Sequence, residues 1–196
     1  MDACMQILKC DEMEILDAVD ELKEQGFIKE QQDSEKVRFF FCHDSIQKFV
    51  HTKMSPSKRR VFHRKLAEYI EGLPLYEANR YERLIYHYTL CGDREKALEY
   101  RIRALTEYSY RYYELYPLFP AGGKKEVQMD SVLDYCRQLE EELLELSQRN
   151  PQKESYLKLH VSLMQATAQY CIPQGYYEEG AQYLSLIHIS EPTRLA

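Results

Sequence analysis

Histidine and acidic side chains of the kind that hold metal ions occur early in the chain. His43 and Asp44 are adjacent, and His51 and His63 follow them. A catalytic metal site needs several such ligands, brought together from neighbouring helices. No second His-Asp pair or H-x-x-x-D set with suitable carboxylates accompanies these residues. We therefore predict no metal site, and we interpret His43 as a junction residue whose ring bonds to the backbone.

Other catalytic patterns are also missing from the sequence. No G-x-x-x-x-G-K-[ST] motif occurs, and Gly122-Gly123-Lys124 lacks the glycine spacing and the hydroxyl that a phosphate-binding loop needs. No Ser–His–acid or Cys–His arrangement can be argued. The six cysteines are scattered without a C-x-x-C pair, which is typical of reduced thiols in a cytoplasmic protein. We predict that the chain is not an enzyme and binds no cofactor.

The stretch from Phe39 to Ile70 organises the chain. Phe39, Phe40 and Phe41 form an apolar run of strand length, and Asp44 is placed to cap the following helix. Ser55 and Pro56 predict that a second helix begins there, because the hydroxyl caps and proline suits the first turn. Apolar residues at helical spacing predict a buried face on both helices: Ile46, Phe49 and Val50, then Val61, Phe62, Leu66, Tyr69 and Ile70.

Two motifs in this stretch carry a resemblance to a known family. They read F-x-x-H-D-x-I-x-x-x-V and S-P-x-x-R-R-x-x-H-R-x-L-A-E-x-I, and they include His43, Asp44, Arg60 and His63. This arrangement resembles the segment that follows the nucleotide-binding core of STAND-type signalling ATPases, which include LuxR-type regulators. The resemblance covers roughly residues 5–183. It implies the end of a winged-helix module followed by a helical repeat array.

The residues before this stretch predict winged-helix order. Asp11 is placed to cap a helix over 12–25, whose inner face carries Ile15, Leu16, Val19 and Leu22. Gly26 ends that helix where a left-handed residue is needed. The following segments are a strand over 27–30, a polar turn over 31–36 and a returning strand over 37–42.

Charge argues against DNA recognition by such a module. The helix over 12–25 presents acidic residues outward, opposed only by Lys23: Glu12, Glu14, Asp17, Asp20, Glu21 and Glu24. A face of this kind is repelled by phosphates. A basic cluster follows, formed by Lys53, Lys58, Arg59, Arg60, Arg64 and Lys65. It is interpreted as a solvated helix face, with docking onto the acidic helix or onto an ATPase core, or contact with a phosphate backbone, as alternatives.

Helical repeats are predicted beyond Ala78. Leu84 to Leu105 resembles a tetratricopeptide hairpin, with Gly92 in the turn and small Ala97 and Ala104 for close packing. Helix is predicted to about Tyr113, a break over 116–123 and a surface loop over 124–129. Further helices are predicted over 131–148, with Val132, Leu133, Cys136, Leu139, Leu143 and Leu146 inward, and over 152–171. Residues 175–183 resemble the opening of a second tetratricopeptide pair.

The predicted architecture is therefore mostly α, a partial winged helix with a small β-hairpin followed by a TPR-like helical repeat array. Residues 184–194, L-S-L-I-H-I-S-E-P-T-R, resemble a translated sequencing adapter, so we expect a natural gene to continue differently after Tyr183. The predicted divisions are 1–54 for the winged-helix module, 55–115 for a helical linker and first hairpin, 116–130 for a loop, 131–183 for further helices, and 184–196 for the tail.

The resemblance implies a non-catalytic part of a signalling ATPase that couples nucleotide state to protein interaction. Expected partners are a protein or peptide, or the ATPase core of the same chain. Neither nucleic acid nor a membrane is expected, and the expected location is cytoplasmic. A free-standing TPR-like adaptor is the alternative, and a winged-helix DNA-binding regulator is a third hypothesis that the acidic helix disfavours.

Overall fold

The computed structural model describes residues 2–33, 36–74, 79–111, 129–150 and 154–190. This part of the chain is mostly helical, with a small two-stranded antiparallel sheet. The chain divides into two compact units, Met1–Asp93 (unit 1) and Arg94–Ala196 (unit 2). Among the described helices, none combines the length and the apolar character that a membrane crossing requires.

Unit 1 contains five helices and the sheet within its described residues. Their order is α1 (Asp2–Leu8), α2 (Glu12–Glu24), β1 (Ile28–Asp33), β2 (Lys36–Phe41), α3 (Asp44–Lys53), α4 (Pro56–Glu71) and α5 (Arg80–Cys91). Helix α1 contacts both α2 and α4, α2 contacts β1, and α3 contacts β2. The order from α2 to α3 is the one that the sequence predicts: helix, strand, strand and helix.

The caps of α2 follow the sequence. The carboxylate of Asp11 accepts a hydrogen bond from the Glu14 backbone N–H at 2.8 Å, and the Glu14 carboxylate accepts one from the Asp11 N–H at 3.1 Å. This reciprocal pair is a capping box. Gly26 follows the helix with a φ of 73°, as predicted. On the inner face, Ile15 is buried, but Leu22 is 40% exposed, contrary to prediction.

The hairpin extends further than predicted. β1 continues to Asp33, and β2 begins at Lys36, so most of the predicted turn over 31–36 is strand. Glu30 is paired with Phe39, and Gln32 is paired with Val37. The polar residues suggest a turn by composition, but an antiparallel sheet with one solvated face accepts polar side chains.

Helix α3 differs from prediction at its start and along its apolar face. His43, not Asp44, is the N-cap, and its side chain makes no capping hydrogen bond; Asp44 is the first helical residue. At this position its carboxylate still interacts favourably with the positive end of the helix dipole. Phe49 and Val50 are 62% and 47% exposed. Helix α3 contacts β2, and its His51 ring lies beside His63 of α4. These contacts leave Phe49 and Val50 largely uncovered.

Helices α4 and α5 pack against each other and form the main contact within unit 1. Ser55 accepts a hydrogen bond from the Lys58 N–H at 3.2 Å, and Pro56 is in the first turn, as predicted. The buried apolar residues are Ala67 and Ile70 on α4, with Leu84, Tyr88 and Cys91 on α5. Val61 was predicted to face inward, but it is 52% exposed, while Phe62, Leu66 and Tyr69 are partly buried.

Unit 2 is built from α6 (Arg94–Arg111), α7 (Met129–Arg149), α8 (Glu154–Cys171) and α9 (Tyr177–Ser190) among its described residues. Its core joins three of these helices, with Leu98, Ile102 and Leu105 from α6, Val132, Cys136, Leu139, Leu143 and Leu146 from α7, and Tyr156, Leu163 and Ala166 from α8. The predicted inner face of α7 is confirmed, except that Leu133 is only partly buried.

Several predicted boundaries of unit 2 change or lie outside the described part. Met129 was assigned to a loop but begins α7, which continues to Arg149. The predicted break over 116–123 lies outside the described residues, as do 112–113 and 124–128. Helix α9 includes seven residues of the predicted adapter-like tail, Leu184 to Ser190.

Helices α8 and α9 form a closely packed hairpin. Gly175, with a φ of 88°, lies in the connection between them, and the predicted segment 175–183 includes the first residues of α9. A Cβ atom at Gly180 would lie 2.7 Å from Ile172 Cγ1 and 3.4 Å from Cys171 Cβ. The absence of a side chain at Gly180 therefore permits the close approach of α9 to α8.

We expect Gly180→Val to loosen this hairpin, because the added side chain overlaps Ile172. Overpacking of this kind costs about 1–3 kcal/mol. Hydrogen exchange of the α9 amides should accelerate relative to those of α7. Ala181→Val is the matched control, since Ala181 is exposed on the same helix. Equal exchange in the two variants would contradict close packing at Gly180.

Candidate functional site at the junction of helices α3, α4 and α5

The residues singled out from the sequence are dispersed along the chain. His43 and Asp44 are exposed at the start of α3, Ser55 and Pro56 begin α4, and Arg60 is exposed on α4. In the other motif, Gly92 follows α5 with a φ of 83°, Ala97 is buried on α6, and Ala104 is partly buried on α6. Only His63 lies within a cluster of groups that bear chemistry.

His63 on α4 faces His87 on α5. Their Nδ1 atoms are 2.9 Å apart, and their ring centroids are 5.2 Å apart. At this distance one Nδ1 carries a hydrogen, and this N–H donates a hydrogen bond to the lone pair of the other Nδ1. The pair therefore forms a side-chain hydrogen bond between two helices that also pack through apolar residues. A bond of this kind contributes about 1 kcal/mol to stability.

Two further rings enclose the pair. The ring of His51, from α3, lies 5.8 Å from that of His63 at an interplanar angle of 65°. The ring of Tyr86 lies 5.9 Å from His63 and 5.1 Å from His87, in edge-on geometry with both. Nε2 of His51 is buried and has no hydrogen-bond partner in the described part of the chain. Three helices thus contribute rings to one cluster, which we call the histidine cluster: His51, His63, Tyr86 and His87.

The surroundings of the cluster disfavour positive charge. Burial, and then the charges of His63 and Arg83, lower the pKa of His87 to about 4. The pKa of His63 is also lowered, by burial first and then by His51 and Arg59. Both effects act in the same direction, because burial removes water from an imidazolium and neighbouring cations repel it. Both rings of the pair are therefore neutral at pH 7.

Arg80 supports the α4–α5 pair from the other end of α4. It is 8% exposed, and it donates from Nε to the Ile70 carbonyl at 3.3 Å and from Nη2 to the Glu71 carbonyl at 2.8 Å. The last carbonyl groups of a helix have no partner within the helix. Arg80 satisfies two of them and places a cation at the negative end of the helix dipole.

Sequence reasoning did not identify His87, Tyr86 or Arg80. Each is separated in sequence from its α4 partner, and no short motif connects them. The signal that would have found them is the register of α4 against α5, since the buried faces of these helices determine which side chains meet. The sequence singles out His51 as a possible metal ligand and His63 both as a possible ligand and as a motif residue.

The charged faces predicted from the sequence are exposed in unit 1. All six acidic residues of α2 are exposed, and Lys23 is paired with Asp20 and Glu30. In the basic cluster, Lys53, Lys58, Arg60 and Arg64 are exposed, Arg59 is partly buried beside His63, and Lys65 donates to the Ile7 carbonyl at 2.7 Å. Of this cluster, Lys65 therefore makes an intramolecular hydrogen bond between α4 and α1.

Metal and thiol chemistry find little support in the described residues. No group of three or more His, Cys, Asp or Glu side chains among them is arranged to hold a metal ion. All six cysteines are free thiols, and Cys91, Cys136 and Cys171 are buried. Burial raises the pKa of Cys136, and it raises that of Cys171 to about 11, with Cys136 contributing next. These two thiols stay protonated and unreactive near neutral pH.

Comparison of the chain with protein-family models, curated proteins and solved structures finds no significant match.

We expect Arg80→Met to destabilise unit 1 by about 1–3 kcal/mol, because two carbonyl groups at the end of α4 lose their donor. Methionine keeps much of the side-chain length without the hydrogen bonds. Hydrogen exchange at the end of α4 and urea unfolding would measure the effect. Arg64→Met, at an exposed position of α4, is the control. If both variants lose the same stability, Arg80 is not an important cap of α4.

Proposed function

We propose that the chain is a non-catalytic coupling and protein-interaction region of a STAND-type signal-transduction ATPase or transcriptional regulator. In this proposal unit 1 contains a winged-helix remnant that responds to a nucleotide-binding core. The helices that follow bind a protein, a peptide or a neighbouring protomer. The region would act in the cytoplasm and need no cofactor of its own.

The observation that carries the proposal is the element order of unit 1 combined with its charge. Two helices, a β-hairpin and a third helix precede the paired helices α4 and α5. This order supports the winged-helix remnant that the resemblance implies. The second helix of this group, α2, exposes six carboxylates. A module of this order with an acidic exposed helix is suited to packing against protein rather than to reading DNA.

Sequencing the natural gene past both ends of this chain tests the proposal. We expect an in-frame G-x-x-x-x-G-K-[ST] motif upstream of Met1 and a coding sequence that continues in frame after Tyr183. A stop codon and a ribosome-binding site directly before Met1 would overturn the coupling role. That result would leave a small helical protein without an ATPase core.

A free-standing TPR-like adaptor is the second candidate, and unit 2 supplies the observation that favours it. Unit 2 has a core of its own, and its α8–α9 hairpin packs closely at Gly180. Small residues that permit close helix packing are typical of helical repeats. A stable monomer of the whole chain that binds a defined peptide without any upstream domain would favour this candidate.

DNA binding by unit 1 is the third candidate, and the exposed charge of α2 argues against it. We expect no binding of duplex DNA at micromolar protein in 50 mM salt, as measured by fluorescence anisotropy. A protein that docks on phosphates binds more weakly as salt is raised, because it releases counterions. Salt-dependent binding by the unchanged chain would therefore revive this candidate.

A charge-reversal variant provides the matched comparison for this measurement. Asp17→Lys, Glu21→Lys and Glu24→Lys together change three exposed carboxylates of α2 without touching the capping box at Asp11 and Glu14. We expect the triple variant to gain weak, salt-dependent binding. If it gains none, a feature of unit 1 other than the charge of α2 prevents contact with DNA.

A further inference from the structure

The hydrogen bond between His63 and His87 depends on how many protons the two rings hold. When both are neutral, one Nδ1–H donates to the lone pair of the other Nδ1, across 2.9 Å. An added proton can bind Nε2 of the donor ring and leave this bond intact. The next proton has to occupy the accepting Nδ1, and two N–H groups then face each other. Full protonation therefore converts an attraction between α4 and α5 into a repulsion.

The charged groups that act on the pair do not compensate this repulsion. They come from each helix that contributes to the junction: His51 from α3, Arg59 from α4 and Arg83 from α5. Each of them lowers the pKa of a ring in the pair and so disfavours a positive charge there. Helix α1, which also packs on α4, approaches it with the Ile7 carbonyl, and this carbonyl accepts its hydrogen bond from Lys65. Protonation of the pair thus adds charge to a site that already disfavours it.

We propose that His63 and His87 form a pH-sensitive latch that holds α5 against α4 at neutral pH and releases it when both rings are protonated. The latch lies where α3 meets the α4–α5 pair. Its opening would change how α5 packs against α4 beside α3, within unit 1. This inference rests on the side-chain geometry of unit 1 and is independent of the proposed signalling role.

The direction of the pH dependence follows from linkage between protonation and folding. Both rings have a lower pKa in the folded chain than the ordinary histidine value of 6.5, and that of His87 falls to about 4. The open form therefore binds more protons than the closed form between these two values. The latch contributes its full stability above pH 6.5 and loses it progressively as the pH falls from 6.5 towards 4.

Hydrogen exchange of the α5 amides in the full chain measures this opening. After correction for intrinsic exchange rates, the ratio of open to closed α5 should rise about tenfold between pH 7.5 and pH 5. This rise in the ratio is smaller than the one that linkage to protonation would produce for deeply buried rings, because both rings are partly exposed. His87→Gln keeps a hydrogen-bonding side chain that cannot be charged, so we expect it to remove most of this rise.

His43→Gln is the matched control, since it removes an exposed histidine of unit 1 that lies outside the histidine cluster. It should retain the pH dependence of the unchanged chain. The proposal is overturned if the unchanged chain shows no rise, or if His87→Gln shows the same rise.

A second measurement keeps the test decisive if His87→Gln does not fold. The ring ¹⁵N shifts of His63 and His87 in the unchanged chain report their protonation directly. We expect His87 to remain neutral at pH 6 while the α5 amides stay protected. Two fully protonated rings with α5 still protected would contradict the latch. Because neither measurement needs an ATPase core, failure here is distinguishable from failure of the proposed function.

Discussion

Unit 1 depends on the pairing of α4 with α5. The end of α4 has carbonyl groups that the helix cannot satisfy, and Arg80 from the start of α5 donates to two of them. This contact fixes the two helices at one end, and the apolar side chains of Ile70 and Leu84 are completely buried. The same pairing brings His63 opposite His87. Packing, capping and the histidine pair are thus consequences of one arrangement.

Outside the interface between α4 and α5, several apolar side chains of unit 1 are not covered by another element. Helix α3 has no buried residue, and Phe49, Val50 and Val61 are largely exposed. The predicted acidic face lies on α2, and the predicted basic cluster lies on α3 and α4.

Local signals in the sequence predicted local structure well. Asp11 with Glu14 and Ser55 with Pro56 begin helices as expected, because a cap depends on residues within one turn. The apolar spacing of α7 predicted its inner face, since α6 and α8 cover it. The same reasoning failed for α3, where an apolar stripe exists but neither β2 nor α4 covers Phe49 and Val50. Burial requires a covering element, and spacing alone does not supply one.

The candidate site was only partly predictable. His63 was recognised from a motif, yet its role depends on His87, which lies on another helix and outside that motif. Arg80 donates to backbone carbonyl groups of α4. Every residue has such a group, so the sequence does not show which residues will accept from Arg80. The start of α3 shows the same limit on a smaller scale, because Asp44 is of the type preferred at an N-cap, yet the backbone conformation places His43 there.

The most direct measurement is the ¹⁵N–¹⁵N coupling across the hydrogen bond between His63 and His87 at neutral pH. A bond in which Nδ1–H of one ring donates to Nδ1 of the other transmits a measurable coupling between these two nitrogens. We expect this coupling at pH 7.5 and its loss when the rings are protonated. Absence of the coupling at pH 7.5, with α4 and α5 still protected from exchange, would contradict the histidine pair as the connection between the two helices.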